Sequence, residues 1–136
     1  MYKIVRDKDI RNGKFIFEGT RISVDDIAES ILSGLTLEEI EKEYPSVNNK
    51  IFEYFFDFTK KVFEIEINSL RKKASTSKEI ENLFKYEGCY NYLKNLNSHD
   101  LYKSVNSPKL KVCLKILLSI LRKYYKQKRK DEVFIG

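Results

Sequence analysis

The chain has no tryptophan, one histidine, one methionine, two prolines and two cysteines among 136 residues. Each scarcity removes a class of protein. With His99 as the only histidine, and with neither Cys89 nor Cys113 near a second cysteine, no ligand set with zinc-like spacing exists; no metal or other cofactor is expected. The two cysteines are 24 positions apart in a chain that opens without a secretory leader. This argues against a disulfide scaffold and for a reducing cytoplasm in which both are small core residues. The longest apolar run, in "KVCLKILLSILRKYY", is broken by Lys115 and falls short of the ~18 to 20 residues of a membrane span. No glycine-rich phosphate loop and no serine or cysteine nucleophile motif occurs, and His99-Asp100 reads as a solvated loop pair rather than half a dyad. The chain is not expected to be an enzyme.

What is present suits a folded protein: 42% of residues are hydrophobic and 13% aromatic. The length fits one domain, or two small helical units sharing an interface. Charge divides the chain more sharply than composition does. Residues 1 to 75 carry 13 Lys+Arg against 14 Asp+Glu, whereas residues 76 to 136 carry 13 against 6, so the whole excess of the +6 chain lies in its second half. A field of that sign attracts nucleic acid, an anionic membrane surface or an acidic protein; lysine-rich surfaces also serve solubility alone.

Residue periodicity predicts mainly helical structure. β-type residues flank Asn12-Gly13, a dipeptide that accepts positive φ, so the first 22 residues read as a short ribbon or two extended strands closed by Gly19. Ser23 with Asp26 and Thr36 with Glu39 form capping boxes for helices over Val24 to Ser33 and Leu37 to about Glu43. Ser46 is placed to cap a third helix, with apolar positions at Ile51, Phe55, Phe58, Val62 and Ile65, reaching about Lys73 and roughly 40 Å long. Its far half must be buried against the second half of the chain or a second copy. Thr76 with Glu79 opens a further helix with Ile80, Leu83 and Phe84 inside and Gly88 at its end, followed by two short helical pieces broken near Asn97 or Ser98. Ser107-Pro108 starts the last helix, whose face Leu110, Cys113, Leu114, Leu117, Leu121 and Tyr124 continues to about Lys128. No internal repeat is found. The division expected is a strand plus helix-turn-helix domain over 1–60, a continuing connecting helix over 61–75 and a basic helical domain over 76–136.

The order helix, turn, short helix, turn, helix is that of a helix-turn-helix unit, whose last helix can present its first residues to base edges. Here these are Ser46, Asn48, Asn49, Lys50 and Glu53, and asparagine and lysine suit adenine and guanine or phosphate. Against this, the acidic residues Asp57, Glu64 and Glu66 follow on a strongly aromatic helix, which fits a packing element. The ordered stretch "GKFIFEGTRISVDDIAESILSGLTLEEIEKEYPSV" resembles a small domain family of unknown function. Its members carry Gly-Lys-Pro, Gly-Thr-Arg-Ile-x-Val, a Gly-Leu-(Ser/Thr) turn, a Glu-Glu-Ile helix and a Tyr-Pro end. The resemblance covers about residues 1 to 60; Gly13, Lys14, Gly19, Thr20, Arg21, Ile22 and Val24 fit it, and Phe15 replaces the proline. It implies a helix-turn-helix fold with an N-terminal strand, and for some members an antitoxin role in which the protein pairs with a PIN-domain ribonuclease toxin and represses its own operon.

Arg21 either grips a DNA phosphate or pairs internally with Asp25, Glu18 or a helix carbonyl to lock the corner; the internal role is the one a junction of this kind requires. In the tail "RKYYKQKRKDEVFIG", Arg122, Lys123, Lys126, Lys128, Arg129 and Lys130 can neutralise phosphates while Tyr124 or Tyr125 stacks on a base. The same cations also suit the negative end of a helix dipole, and a basic helix on an anionic membrane is a third reading. The terminal "VFIG" is placed to pack against a partner. The function expected is a DNA-binding regulator of the antitoxin type, a homodimer matching a palindromic operator. The rival is an interaction module that dimerises or holds a partner through Ile51, Phe52, Phe55, Phe56 and Phe63, with the basic part binding nucleic acid non-specifically.

Overall fold

In the computed structural model, residues 3–96, 105–126 and 133–135 are described. The apolar residues around Asn12-Gly13 form two antiparallel strands, β1 (Lys3–Arg6) and β2 (Phe15–Phe17), in the register Ile4 to Phe17 and Arg6 to Phe15. Their connection is longer than a two-residue hairpin. It contains a turn of 3-10 helix at Arg11–Gly13, in which Arg11, Asn12 and Gly13 all take positive φ. A third strand, β3 (Val133–Ile135), comes from the far end of the chain and pairs antiparallel with the other edge of β1, giving the order β2-β1-β3. The expectation that "VFIG" meets a partner is thereby corrected, because residues 133–135 complete the chain's own sheet.

Five α-helices follow the hairpin among the described residues: α1 (Val24–Leu32), α2 (Leu37–Glu43), α3 (Asn49–Lys73), α4 (Ser77–Lys94) and α5 (Pro108–Lys126). The three capping boxes form as read. Ser23 Oγ accepts from the Asp26 N–H at 2.9 Å, Thr36 Oγ1 from Glu39 at 3.1 Å and Thr76 Oγ1 from Glu79 at 3.1 Å, each answered by the carboxylate. The cap of α3 differs from the reading. Asn48, not Ser46, takes it, its Oδ1 accepting from the N–H groups of Lys50 at 3.0 Å and Ile51 at 3.2 Å.

At ~1.5 Å per residue α3 is roughly 37 Å long, and the second half of the chain covers its far end. Phe58 meets Phe15 of β2 at 5.2 Å between ring centroids, and Phe63 meets Tyr86 of α4 at 5.9 Å. Arg71 reaches Glu87 of α4 at 3.2 Å, and Glu66 accepts from the Tyr124 hydroxyl of α5 at 3.1 Å. One hydrophobic cluster runs from Ile4 through Ile27, Phe55, Val62 and Cys89 to Leu121. The hydroxyl of Thr59, fully buried on α3, donates to the Phe55 carbonyl of its own helix at 2.8 Å, so it adds no unsatisfied group to this core.

Two expectations about α4 fail for one reason. Gly88 does not end it; the helix continues to Lys94, and Ile80 and Phe84 are exposed at 42% and 69% while Tyr86, Cys89 and Leu93 are buried. Apolar residues lie all around α4, so periodicity alone selects no face, and contact with α3 and α5 decides which residues go inside. Burial of Cys89 and Leu93 beyond the glycine offsets the ~0.5–1 kcal/mol a mid-helix glycine costs relative to alanine. Truncating the centre of α3 is the sharpest test of this architecture: Phe55→Ala should lose about 3–5 kcal/mol of stability in denaturant unfolding. A loss under about 1 kcal/mol would mean that α3 is not the core helix.

Candidate nucleic-acid interface

The Gly19-Thr20-Arg21 corner separates into two jobs. Gly19 takes φ +83°, which an L side chain rarely adopts. The Thr20 hydroxyl donates to the Phe17 carbonyl at 2.8 Å and accepts from the Ile22 N–H at 3.0 Å, and the Phe17 N–H donates to the Ile22 carbonyl. Glycine and threonine therefore build the turn without help from the arginine. Arg21 is exposed, and among the described residues no hydrogen bond or ion pair holds it, so the internal pairing with Asp25, Glu18 or a helix carbonyl is corrected. It lines an open cleft of about 700 Å³ together with Ser46, just ahead of α3; Asp7, Glu18 and Glu43 line the same cleft.

Other arginines take the structural posts. Arg11 bonds Asp26 at 2.6 Å beside the α1 cap. Arg6, nine-tenths buried, donates to the Gly13 carbonyl at 2.8 Å and to the Tyr124 carbonyl at 3.2 Å, with its guanidinium 5.4 Å from the Phe15 ring centre and 5.2 Å from that of Tyr125. The Tyr125 hydroxyl donates to Asp25 Oδ1 in a short hydrogen bond and accepts from the Phe15 N–H at 3.2 Å. Tyr124 packs edge-on to Phe15 at 6.3 Å. Both tyrosines are thus engaged in joining α5 to the N-terminal sheet and to α1, and the reading of them as base-stacking residues is corrected.

The remaining candidates divide by burial. Ser46, Asn48 and Lys50 are exposed, with the Asn48 carbonyl oxygen engaged as a helix cap; the Asn49 side chain lies outside the described residues. Ile51, Phe52, Phe55, Phe56 and Phe63 are at most 3% exposed. They were expected to meet a partner, but α3 is covered from several sides and all five belong to the chain's own core. Arg122, Lys123 and Lys126 are exposed along α5, and Lys128, Arg129 and Lys130 lie outside the described residues. Sequence reasoning centred on the tail missed Lys109, Lys111 and Lys115. The helix itself held the signal, since α5 carries six cations and no acidic residue. Among the described residues none of the six is in an ion pair, and the Lys109 ammonium sits 5.2 Å from the Tyr92 ring centre.

The corner and the two capped helices that follow it lie within one recognisable span. Residues 4–56 match the family described as Protein of unknown function (DUF433). The DUF433 match takes in β1, β2, α1, α2 and the start of α3, and leaves α4, the basic α5 and β3 outside. No curated protein and no solved structure matches the chain. Among the described residues no group of three or more His, Cys, Asp or Glu side chains is placed to hold a metal, and no helix is long and apolar enough to cross a membrane.

The joint beneath this surface is sensitive to pH. Burial pushes the Asp25 carboxyl above its ordinary 3.8, against the lowering effects of the Tyr125 hydrogen bond and of Lys14. The native state therefore holds this proton more tightly than the unfolded chain, and the stability Asp25 contributes in acid is lost as pH rises from 3.8 through the raised native value. Asp25→Asn should flatten that part of the stability curve. In Tyr125→Phe the carboxyl should titrate higher still, because the hydroxyl that steadies its charge is gone; NMR titration of the Asp25 carboxyl carbon reads both, and a native midpoint at or below 3.8 would refute the account.

Proposed function

We propose that this chain is a DNA-binding regulator of the antitoxin type, holding duplex DNA through α5 and the Arg21 corner. The observation that carries the reading is the charge of α5, six cations with no acid on the helix and no ion pair among the described residues. A surface cation that serves only solubility often has a carboxylate three or four residues away on its own helix, as Lys60 has Asp57 and Lys85 has Glu81 here; a row without them keeps its full field for a polyanion. The Tyr125 to Asp25 bond supports joining the two regions, because it brings the end of α5 carrying Arg122, Lys123 and Lys126 against the start of α1, four residues beyond Arg21. In this reading Arg21 is a phosphate contact that fixes register, Ser46 and Lys50 stand at the start of the third helix, and a homodimer matches the two halves of an operator.

A second reading is favoured by the acidic residues Asp7, Glu18 and Glu43 around Arg21 and by the acidic α2, which would repel a phosphate backbone. There the N-terminal unit is a protein-interaction module, with a PIN-type ribonuclease toxin as the partner the motif resemblance implies, and α5 alone holds nucleic acid without sequence preference.

Fluorescence anisotropy with the chain's own upstream duplex and a scrambled one, across a salt series, separates these. Neutralising Lys115, Arg122 and Lys126 to glutamine should lower the slope of log K against log salt by about 0.9 for each phosphate that the variant no longer neutralises. Arg21→Ala should weaken both duplexes alike if it grips phosphate. A preference for the upstream duplex surviving at ~0.15 M salt supports the regulator; equal binding supports the second reading; an unchanged salt slope in the triple variant sinks the role of α5.

A further inference from the structure

The sequence places its two cysteines 24 positions apart, and the fold brings them together. Cys89 on α4 and Cys113 on α5 both line an open groove of about 430 Å³ between the two helices. Both are free thiols, 6% and 1% exposed, and each acts on the other's titration. Phe84, Val112 and Ile116 form the apolar walls, Lys85 and Lys109 also line the groove, and Gly88, one residue before Cys89, adds no side chain to cover the thiols.

We propose that Cys89 and Cys113 form a reversible dithiol–disulfide pair, oxidised by a hydroperoxide that enters through this groove. The two thiols differ in the way such a pair requires. The hydrogen bond from Cys113 holds the Cys89 thiol below its ordinary range despite burial, with the Lys109 ammonium adding to the effect. The same bond, together with burial, pushes Cys113 up. In this proposal Cys89 is the attacking thiol and Cys113 the resolving one.

The chemistry balances in two steps. The Cys89 thiolate attacks one peroxide oxygen, the O–O bond breaks, sulfur is oxidised to sulfenic acid, and the departing oxide takes a proton and leaves as water or alcohol. The Cys113 sulfur then attacks the sulfenic sulfur, the S–O bond breaks as the S–S bond forms, and hydroxide leaves as water with the Cys113 proton. Two thiols and one hydroperoxide give one disulfide, one alcohol or water, and one water; the sulfurs together lose the two electrons that the O–O bond gains. Forming the bond brings the two Cβ atoms to about 3.8 Å.

The test uses the full chain treated with hydrogen peroxide, unfolded in an alkylating agent and weighed intact without reductant. The result expected is a monomer lighter by two hydrogens that takes up no alkyl group and recovers both thiols with dithiothreitol. Cys113→Ser should stop at a sulfenic acid on residue 89 that dimedone traps, and Cys89→Ser should react at least about tenfold more slowly. Full alkylation of both thiols after peroxide, crosslinked dimers in place of the monomer, or sulfinic acid at Cys89 would each overturn the proposal. The wild-type mass decides whether the bond forms, so a variant that fails to fold leaves the test standing.

Discussion

Tyr125 sits where the two ends of the fold meet, and the rest of the arrangement depends on what holds it there. Its hydroxyl accepts from the Phe15 backbone and donates to a buried carboxylate on α1, and its ring lies against the Arg6 guanidinium. Three polar groups that would each be costly to bury alone satisfy one another. The result fixes α5 across the sheet and α1. With α5 in place, and α4 packed along the other half, the aromatic stripe of α3 has nowhere to go but inward. A helix with that many phenylalanines would otherwise expose a large apolar surface.

The features legible in the sequence are those set by neighbours within four residues. Ser23, Thr36 and Thr76 announce their helices because a capping box is a local exchange of hydrogen bonds, and Asn12-Gly13 announces a turn because few other residues accept its backbone. The expected division into mainly helical structure behind a short β element follows from these. Asn48 displaced Ser46 as a cap because both residues can do the job and only the path of the chain after Pro45 chooses between them. The β1 to β3 pairing, the Arg6 to Tyr125 contact and the meeting of Cys89 with Cys113 span 24 to more than 100 residues, and no periodicity encodes them. Arg21 shows the converse. Its place in a Gly-Thr-Arg corner invited a structural role, yet Gly19 and Thr20 satisfy the turn and leave the arginine without an internal partner among the described residues.

Charge follows the same long-range logic. The acids gather on α2 and around the Arg21 cleft, the cations without an ion pair among the described residues on α5, and the Tyr125 joint ties the end of α5 to the start of α1. The sign of the field therefore differs between these two parts of one molecule. Such a separation gives the molecule an electrostatic direction as well as a net charge.

The sheet adds a constraint of a different kind. β1 is the central strand, and among the described residues its second edge is covered by residues 133–135, about 130 positions further on. During synthesis β1 and β2 can pair early, but the other edge of β1 stays open until residues 133–135 have emerged. An open edge is a template for pairing with any other extended chain. The partly made chain thus carries a risk of mispairing at this edge until β3 is available to close the sheet.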